Sequence, residues 1–396
     1  MSEWDALRLG SLVSVRKGKL ARLSPNPKDG FLPYLGAGAL EGRIEAFAET
    51  SGAELATDKD VLMLWDGERA GLVGKGYEGV VASTVARLTP KDGLDTAFLF
   101  HTLCHKFDWI QARRTGTGVP HVPKDLCDIL IVPIPKSAGE QRAIGRILDA
   151  ADEAIAKTEA LIAKLKAIKQ GLLNDLLTRG LDENGELARS QPKSVIPISG
   201  IADIDPPLTM ALPDMDEMVS FIPMTDVSDN GEWTGHQRRV LREVHRGYTP
   251  FQNNDVLFAK ITPCMENGKG CHLDGLVNGI GFGSTEFFVL RAKPGFSARF
   301  IFYWMVTPIA RRKATAFMIG SAGQQRVKRA FFDKFEVPLL PFAMQEKVTA
   351  ILDVHEARIR EEQEYLGKLK AIKKGLMQDL LTGRVRVNTN QETREE

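Results

Sequence analysis

Cysteine is scarce. The chain has 396 residues and four cysteines, Cys104, Cys127, Cys264 and Cys271, with no Cys-x-x-Cys pair. That excludes a disulfide framework and fits a cytoplasmic chain with free thiols. Cys264, Cys271 and His272 lie close in sequence, but they lack a fourth ligand, and small buried thiols are the better reading. Long apolar runs are also missing. The longest is Phe300 to Val306, far short of the roughly 18 residues of a membrane span. The N-terminus, Met1-Ser2-Glu3-Trp4-Asp5, is neither basic nor apolar, so it does not read as a secretory signal. Net charge is nearly absent as well: 52 Lys and Arg stand against 51 Asp and Glu. A uniformly basic nucleic-acid coat is excluded, whereas local charge segregation is not.

Catalytic fingerprints are absent too. No phosphate-binding GxxxxGK[ST], no GxSxG and no HExxH occurs. Gly36-Ala37-Gly38 and Gly279-Ile280-Gly281-Phe282-Gly283 read as turns. Asp205-Pro206-Pro207-Leu208 resembles the Asp-Pro-Pro-Tyr signature of amino-methyltransferases, but Leu208 stands where the base-stacking aromatic belongs. We read it as a turn. His101 and His105, four residues apart, read as a partly buried helix face rather than a metal pair.

What is present is a duplication. Residues 147–178 and 351–382 align without a gap at an offset of 204, with 16 of 32 positions identical. Fainter echoes precede each copy in the same order: Asp60-Val61-Leu62 with Asp255-Val256-Leu257, Ser83-Thr84 with Ser284-Thr285, and Val132-Pro133 with Val337-Pro338. The length predicts two or three domains at about 150 residues each. The repeat refines this to two tandem units, each a variable globular part followed by a similar long segment.

Both similar segments predict long helices with a narrow apolar seam in alternating steps of four and three. The first seam is Ile144, Leu148, Ala151, Ile155, Thr158, Ile162 and Leu165, continuing through Ile168, Leu172 and Leu176. The second is Val348, Leu352, His355, Ile359, Glu362, Leu366 and Leu369, continuing through Ile372, Leu376 and Leu380. Prolines 133, 135, 338 and 341 precede the helices, and Gly180 and Gly383 follow them as stops. Two equal seams in one chain can bury each other. The globular parts are rich in Gly and Pro, with β-prone runs at 61–65 and 286–290 and helical stretches near 96–112 and 297–314. The expected class is α+β: two α/β domains alternating with two long helices that form an antiparallel coiled coil. The boundaries read as 1–137 and 196–341 for the globular domains, 138–180 and 342–382 for the helices, and 181–195 for a linker. A polar tail, 383–396, is expected to fray.

Charge is segregated along the second unit. Residues 181–237 are predominantly acidic and 238–334 predominantly basic. Basic clusters stand at Arg238-Arg239, Arg311-Arg312-Lys313, and Arg326 with Lys328-Arg329. In the first unit Arg113-Arg114 precedes a Thr-Gly-Thr-Gly run. Guanidinium groups suit phosphates and guanine edges, and glycine permits close backbone approach. Two clusters at matching places in two repeats point to nucleic acid.

This pattern resembles the specificity (S) subunit of type I restriction–modification systems, whose hallmark is two variable target-recognition domains alternating with two similar long helices. The resemblance covers essentially the whole chain. It rests on Glu140-Gln141, Ile147-Leu148-Asp149 and the run 171–178, then on Val337-Pro338-Leu339, Gln345-Glu346, Ile351-Leu352-Asp353 and 375–382. The second unit adds the family-like stretches 255–263 and 320–325. The first departs from them, with Trp65-Asp66-Gly67 and Thr117-Gly118-Val119-Pro120-His121 in their place.

The resemblance implies a non-catalytic subunit. Each recognition domain would read one half of a bipartite site in double-stranded DNA. The paired helices would set the spacing and dock two methyltransferase (M) subunits. Cofactors would sit in the partners: S-adenosylmethionine in the methyltransferase subunits, ATP and magnesium in restriction (R) subunits where these join. The expected DNA-facing residues are Arg113, Arg114, Thr117 and His121 in the first unit. In the second they are Lys260, Arg311, Arg312, Gln324, Gln325, Arg326 and Lys328. The rival readings are a coiled-coil protein–protein scaffold that does not bind DNA, and an enzyme acting on DNA alone, which the missing motifs disfavour.

Overall fold

A computed structural model describes residues 3–116, 118–190, 192, 194–321 and 323–387. The fold is α+β, and the chain divides into two compact units. One comprises residues 1–160 and 363–396; the other comprises 161–362. No helix among the described residues is long and apolar enough to cross a membrane.

The first unit is built on a four-stranded antiparallel sheet in the order Val13–Lys17, Val85–Pro90, Val61–Leu64, Val73–Lys75. The second has its counterpart in the order Ala202–Ile204, Phe287–Ala292, Asp255–Ala259, Gly270–His272. Central strands without polar–apolar alternation are covered on both faces, and Val61–Leu64 and Asp255–Ala259 are buried at every position. Each unit closes its ends with a two-stranded ribbon: Trp4–Arg8 with Ile131–Pro135, and Val195–Pro197 with Glu336–Pro338. Each also carries an outer sheet containing one parallel pair, Phe31–Leu35 with Gly79–Val81 and Met218–Ile222 with Ile280–Gly283.

Two short helices follow the central sheet in each unit: Thr96–His105 and Phe107–Gln111, then Ala298–Val306 and Pro308–Thr315. Asp95 and Ser297 cap the longer ones, accepting from the Phe98 and Phe300 backbone N–H groups. Thr307 and Pro308 start the last helix with a side-chain cap and a proline whose missing N–H costs nothing there.

The long helices are Ala138–Arg179 and Phe342–Leu380. In the first unit Ile144 and Leu148 are fully buried in one core with Leu376 and Leu380. In the second, Val348 and Leu352 are fully buried with Leu172 and Leu176. Ile162 and Ile359 are buried; Ile155, Leu165, Leu366 and Leu369 are half-buried. Ile168 and Ile372, placed on the seam by the sequence reading, are exposed instead. The 4–3 count from Leu165 and Leu369 lands one residue later, on Lys169 and Lys373. Lys169 pairs with Glu356 in the second unit and Lys373 with Asp152 in the first. A charged seam position with a charged partner fixes helix register. Further contacts give the direction: Asp152 and Glu159 meet Lys373 and Lys370, so the two helices run antiparallel in that unit.

The glutamine of each Glu-Gln or Gln-Glu pair does the same work twice. Gln141 Oε1 accepts from the Asp95 N–H at 2.9 Å and its Nε2 donates to the Pro135 carbonyl. Gln345 accepts from the Ser297 N–H at 2.9 Å and donates to the Leu340 carbonyl. Each long helix thereby caps the helix start of its own globular part. The start of the tail is bound rather than frayed. Arg386 grips Glu140 through two nitrogens and also pairs with Glu3, and Val387 packs on the first core. A carboxylate that is 2% exposed needs such a partner.

Candidate nucleic-acid interface

The strands Val61–Leu64 and Asp255–Ala259 run out at equivalent points. Beyond them the Trp65 N–H donates to the Thr84 carbonyl, and the Lys260 N–H to that of Glu286. The Trp65 and Lys260 carbonyls then accept from the Val122 and Val327 N–H groups, both at 2.9 Å. One residue further on, Asp66 bridges to His121 and Ile261 bridges to Arg326. His121 and Arg326 thus hold the same register position in two copies of one framework.

Their side chains are held by carboxylates. His121 Nδ1 lies 2.7 Å from Asp66 Oδ1, and Lys17 Nζ lies 2.6 Å from Asp66 Oδ2. Arg326 forks onto Glu286, with Nε 3.0 Å from each oxygen and Nη2 2.7 Å from Oε1. Both keep close to half of the side chain exposed, so each is oriented yet able to meet a ligand. Gln325 is tied by its backbone to Thr262, and Gln324 is exposed beside Arg326. Lys260 lies 5.1 Å over the Phe288 ring. Arg312 and Lys328 are exposed.

Other expected residues are placed differently. Arg311 is 6% exposed. Its guanidinium donates to the Met265, Gly268 and Lys269 carbonyls and lies 4.3 Å over Phe258. It braces a loop from inside and leaves the candidate face. Arg114 is half-buried and donates to the Gln111 and Glu68 carbonyls. Arg113 stays exposed, stacked 4.0 Å over Trp109. Thr117 lies outside the described residues. The sequence reading missed Lys17, Asp66 and Glu286, the groups that surround and orient His121 and Arg326.

A cleft of about 680 Å³ in the second unit is lined by Trp233, His236, His272, Arg299 and Asp353 among others. Most of its charges are paired internally, Arg299 with Asp353, Lys169 with Glu356 and Arg360 with Glu232. It offers no cofactor fingerprint. Among the described residues no group of three or more His, Cys, Asp and Glu is arranged to hold a metal.

Residues 1–167 match the family model described as the type I restriction modification DNA specificity domain. A specificity subunit of the MjaVIII type I restriction enzyme from Methanocaldococcus jannaschii is 25% identical across 97% of this chain and 93% of its own length. Along nearly its whole length the chain is similar to type I specificity subunits. The specificity subunit of the Escherichia coli EcoAI enzyme is 36% identical, over 38% of this chain and 26% of its own length. The fold matches that of a type I S subunit from M. genitalium, with a TM-score of 0.61 at 16% identity over 96% of both chains.

In this specificity-subunit homologue the Ile-Leu-Asp aspartates anchor each long helix to its globular part. Asp149 accepts from Lys75 at 2.5 Å and meets His101 Nε2 at 2.7 Å. Asp353 accepts from Tyr303 at 2.5 Å and pairs with Arg299. Burial opposes ionisation of Asp149, but Lys75 and His101 together hold its carboxyl below the usual range. Burial also lowers His101, and it lowers His272 to about 4, with Arg299 adding to the effect and Asp274 and Asp353 opposing it. An unfolded histidine titrates near 6.5. Between about 6.5 and 4 the unfolded chain therefore binds protons that folded His272 refuses. Its stabilising contribution is complete above the unfolded pKa and is lost as pH falls. The melting temperature is expected to drop steadily from pH 7 to pH 4, and less steeply in His272→Gln. An unchanged slope in that variant would remove His272 from the account.

Proposed function

We propose that this chain gives a type I restriction–modification complex its DNA sequence specificity, each unit reading one half of a bipartite site. The observation that carries this reading is the equivalent pair of reader positions. One framework presents His121 with Asp66 and Lys17 in the first unit, and Arg326 with Glu286 in the second. The scaffold repeats while the reading chemistry changes, as two different half-sites require. Arg326 suits the O6 and N7 of guanine, and Gln324 and Gln325 suit adenine. Arg113, Lys260, Arg312 and Lys328 hold phosphates and set position.

The recognition domains are 1–137 and 196–341, joined through the linker 181–195. The helices, 138–180 and 342–382, form an antiparallel coiled coil that sets the half-site spacing. Two methyltransferase subunits dock on the helices. Each unit leaves one exposed apolar pair seven residues apart, on one helix face: Tyr365 and Ile372 in the first, Leu161 and Ile168 in the second. Methyl transfer and cleavage belong to partners. S-adenosylmethionine is held by the methyltransferase subunits, and ATP and magnesium by restriction subunits.

The test is co-expression with the cognate methyltransferase subunit in a host lacking DNA modification, followed by mapping of methylated adenines. A new gapped, two-part motif is the expected result. An assembled complex that creates no motif would favour the protein-scaffold reading.

A further inference from the structure

The duplicated framework exposes a difference between the units. In the first, thirteen residues, 18–30, separate the strand ending at Lys17 from the one starting at Phe31. In the second, thirteen residues, 205–217, separate the equivalent strands ending at Ile204 and starting at Met218. The two connections match in length and place, although the first carries a short strand, Leu23–Ser24, that the second lacks, and they are opposite in charge. The first holds Lys19, Arg22, Lys28 and Asp29, with Arg16 and Lys17 just before it. The second holds Asp205, Asp214, Asp216 and Glu217 with no cation, and Asp203 precedes it.

The basic connection springs from the reading position, because Lys17 and His121 share the Asp66 carboxylate. Its root is rigid. The Gly18 N–H donates to the Val85 carbonyl at 2.9 Å, and a Cβ on Gly18 would lie 2.2 Å from the carbonyl oxygens of Val81 and Ala82. Only glycine fits there. Farther along, the Glu49 N–H donates to the Arg22 carbonyl at 3.0 Å. Between these ties Lys19 and Arg22 are exposed, and Leu20 is 90% exposed. A leucine held clear of any core, flanked by cations on a fixed base, suits a groove edge between phosphates.

We propose that residues 16–22 form a phosphate clamp on the DNA beside the first half-site, with Leu20 against the groove wall, and that the second unit has no counterpart. The two half-sites are then held unequally: the first unit supplies extra salt-sensitive grip, and the second relies on its reader face. This inference rests on the DNA-specificity reading above.

The test uses the complex of the full chain with its methyltransferase subunits and a fluorescein-labelled duplex carrying the mapped motif, titrated across salt concentrations. In the double variant Lys19→Ala, Arg22→Ala the slope of log affinity against log salt is expected to flatten by about 1.8, at about 0.9 per lost phosphate contact. Asp214→Ala with Asp216→Ala should leave the slope unchanged. Leu20→Ala should weaken binding at every salt concentration with the slope intact; wild-type affinity there would strike Leu20 from the clamp. An unchanged slope in the Lys19, Arg22 variant would overturn the proposal. So would failure of that variant to assemble with the methyltransferase subunits, since the segment would then be a protein contact. If the wild-type complex itself lacks sequence-specific binding, the specificity reading has failed, and the clamp with it.

Discussion

Replacing Arg311 with alanine is expected to destabilise the second unit by about 3 to 5 kcal/mol, the range of a broken buried charged network. Arg311 is 6% exposed and its guanidinium donates to three carbonyls, at 3.1 Å to Met265, 3.2 Å to Lys269 and 3.0 Å to Gly268. Alanine would strand the Gly268 carbonyl, leave the Met265 and Lys269 carbonyls with only the Gly268 and Ala259 N–H groups, and open a void beside Phe258. The arginine is itself under strain from its surroundings, since burial lowers its pKa to about 9. Arg311→Met, which keeps the packing and removes the buried charge, should therefore lose less than Arg311→Ala. Arg311→Lys should not rescue, because a single ammonium lacks the planar fork that reaches all three carbonyls. Urea unfolding of the full chain, followed by tryptophan fluorescence to which Trp233 and Trp304 contribute from the second unit, measures this. If Arg311→Ala kept wild-type stability and lost DNA affinity, the residue would belong on the DNA face after all.

Arg311 also shows where sequence reading stops. Arg311-Arg312-Lys313 looks like one basic cluster, but a helix turns 100° per residue. Ala310, Arg311 and Ala314 face the core while Arg312 and Lys313 face out. Composition reports the cluster; only the packing partner decides which member goes inward. The seam failed in a similar way. Counting apolar residues favours Ile168 and Ile372, whereas the strict 4–3 step lands on Lys169 and Lys373. The readable signal was that Asp152 and Glu356 lie at the same offset of 204 as the two lysines. The long helices themselves were legible because their periodicity is local. The sheets were not, because their short strands pair across distances that no local pattern encodes. Val13–Lys17 lies beside Val85–Pro90, about seventy residues away, and the placement of Arg326 depends on Ile261 and Glu286. Basic residues at 113 and 326 were visible as candidates. The carboxylates that aim His121 and Arg326 were not, since an aspartate or glutamate in a loop carries no mark of its partner.

That aiming sets the second expected result. Arg326→Ala should relax recognition at one base pair of the second half-site by about 10- to 100-fold and leave the first half-site unchanged. A bidentate guanine contact needs the guanidinium plane fixed before DNA arrives. The Glu286 fork fixes it while the side chain keeps 45% of its surface open. Glu286→Ala should therefore cost specificity at the same base pair without touching DNA, because an unanchored arginine samples phosphates as readily as bases. Glu286→Gln retains one acceptor and should fall between. His121→Ala gives the mirror experiment, changing the first half-site alone. Methylation mapping with each variant scores both half-sites in one measurement. Were Arg326→Ala to weaken methylation equally at every motif variant, the residue would be a phosphate contact, and reading in the second unit would pass to Gln324 and Gln325. Were Arg326→Ala and His121→Ala to alter the same half-site, the equivalence of the two positions would be a property of the backbone alone, and the assignment of one unit to one half-site would fall with it.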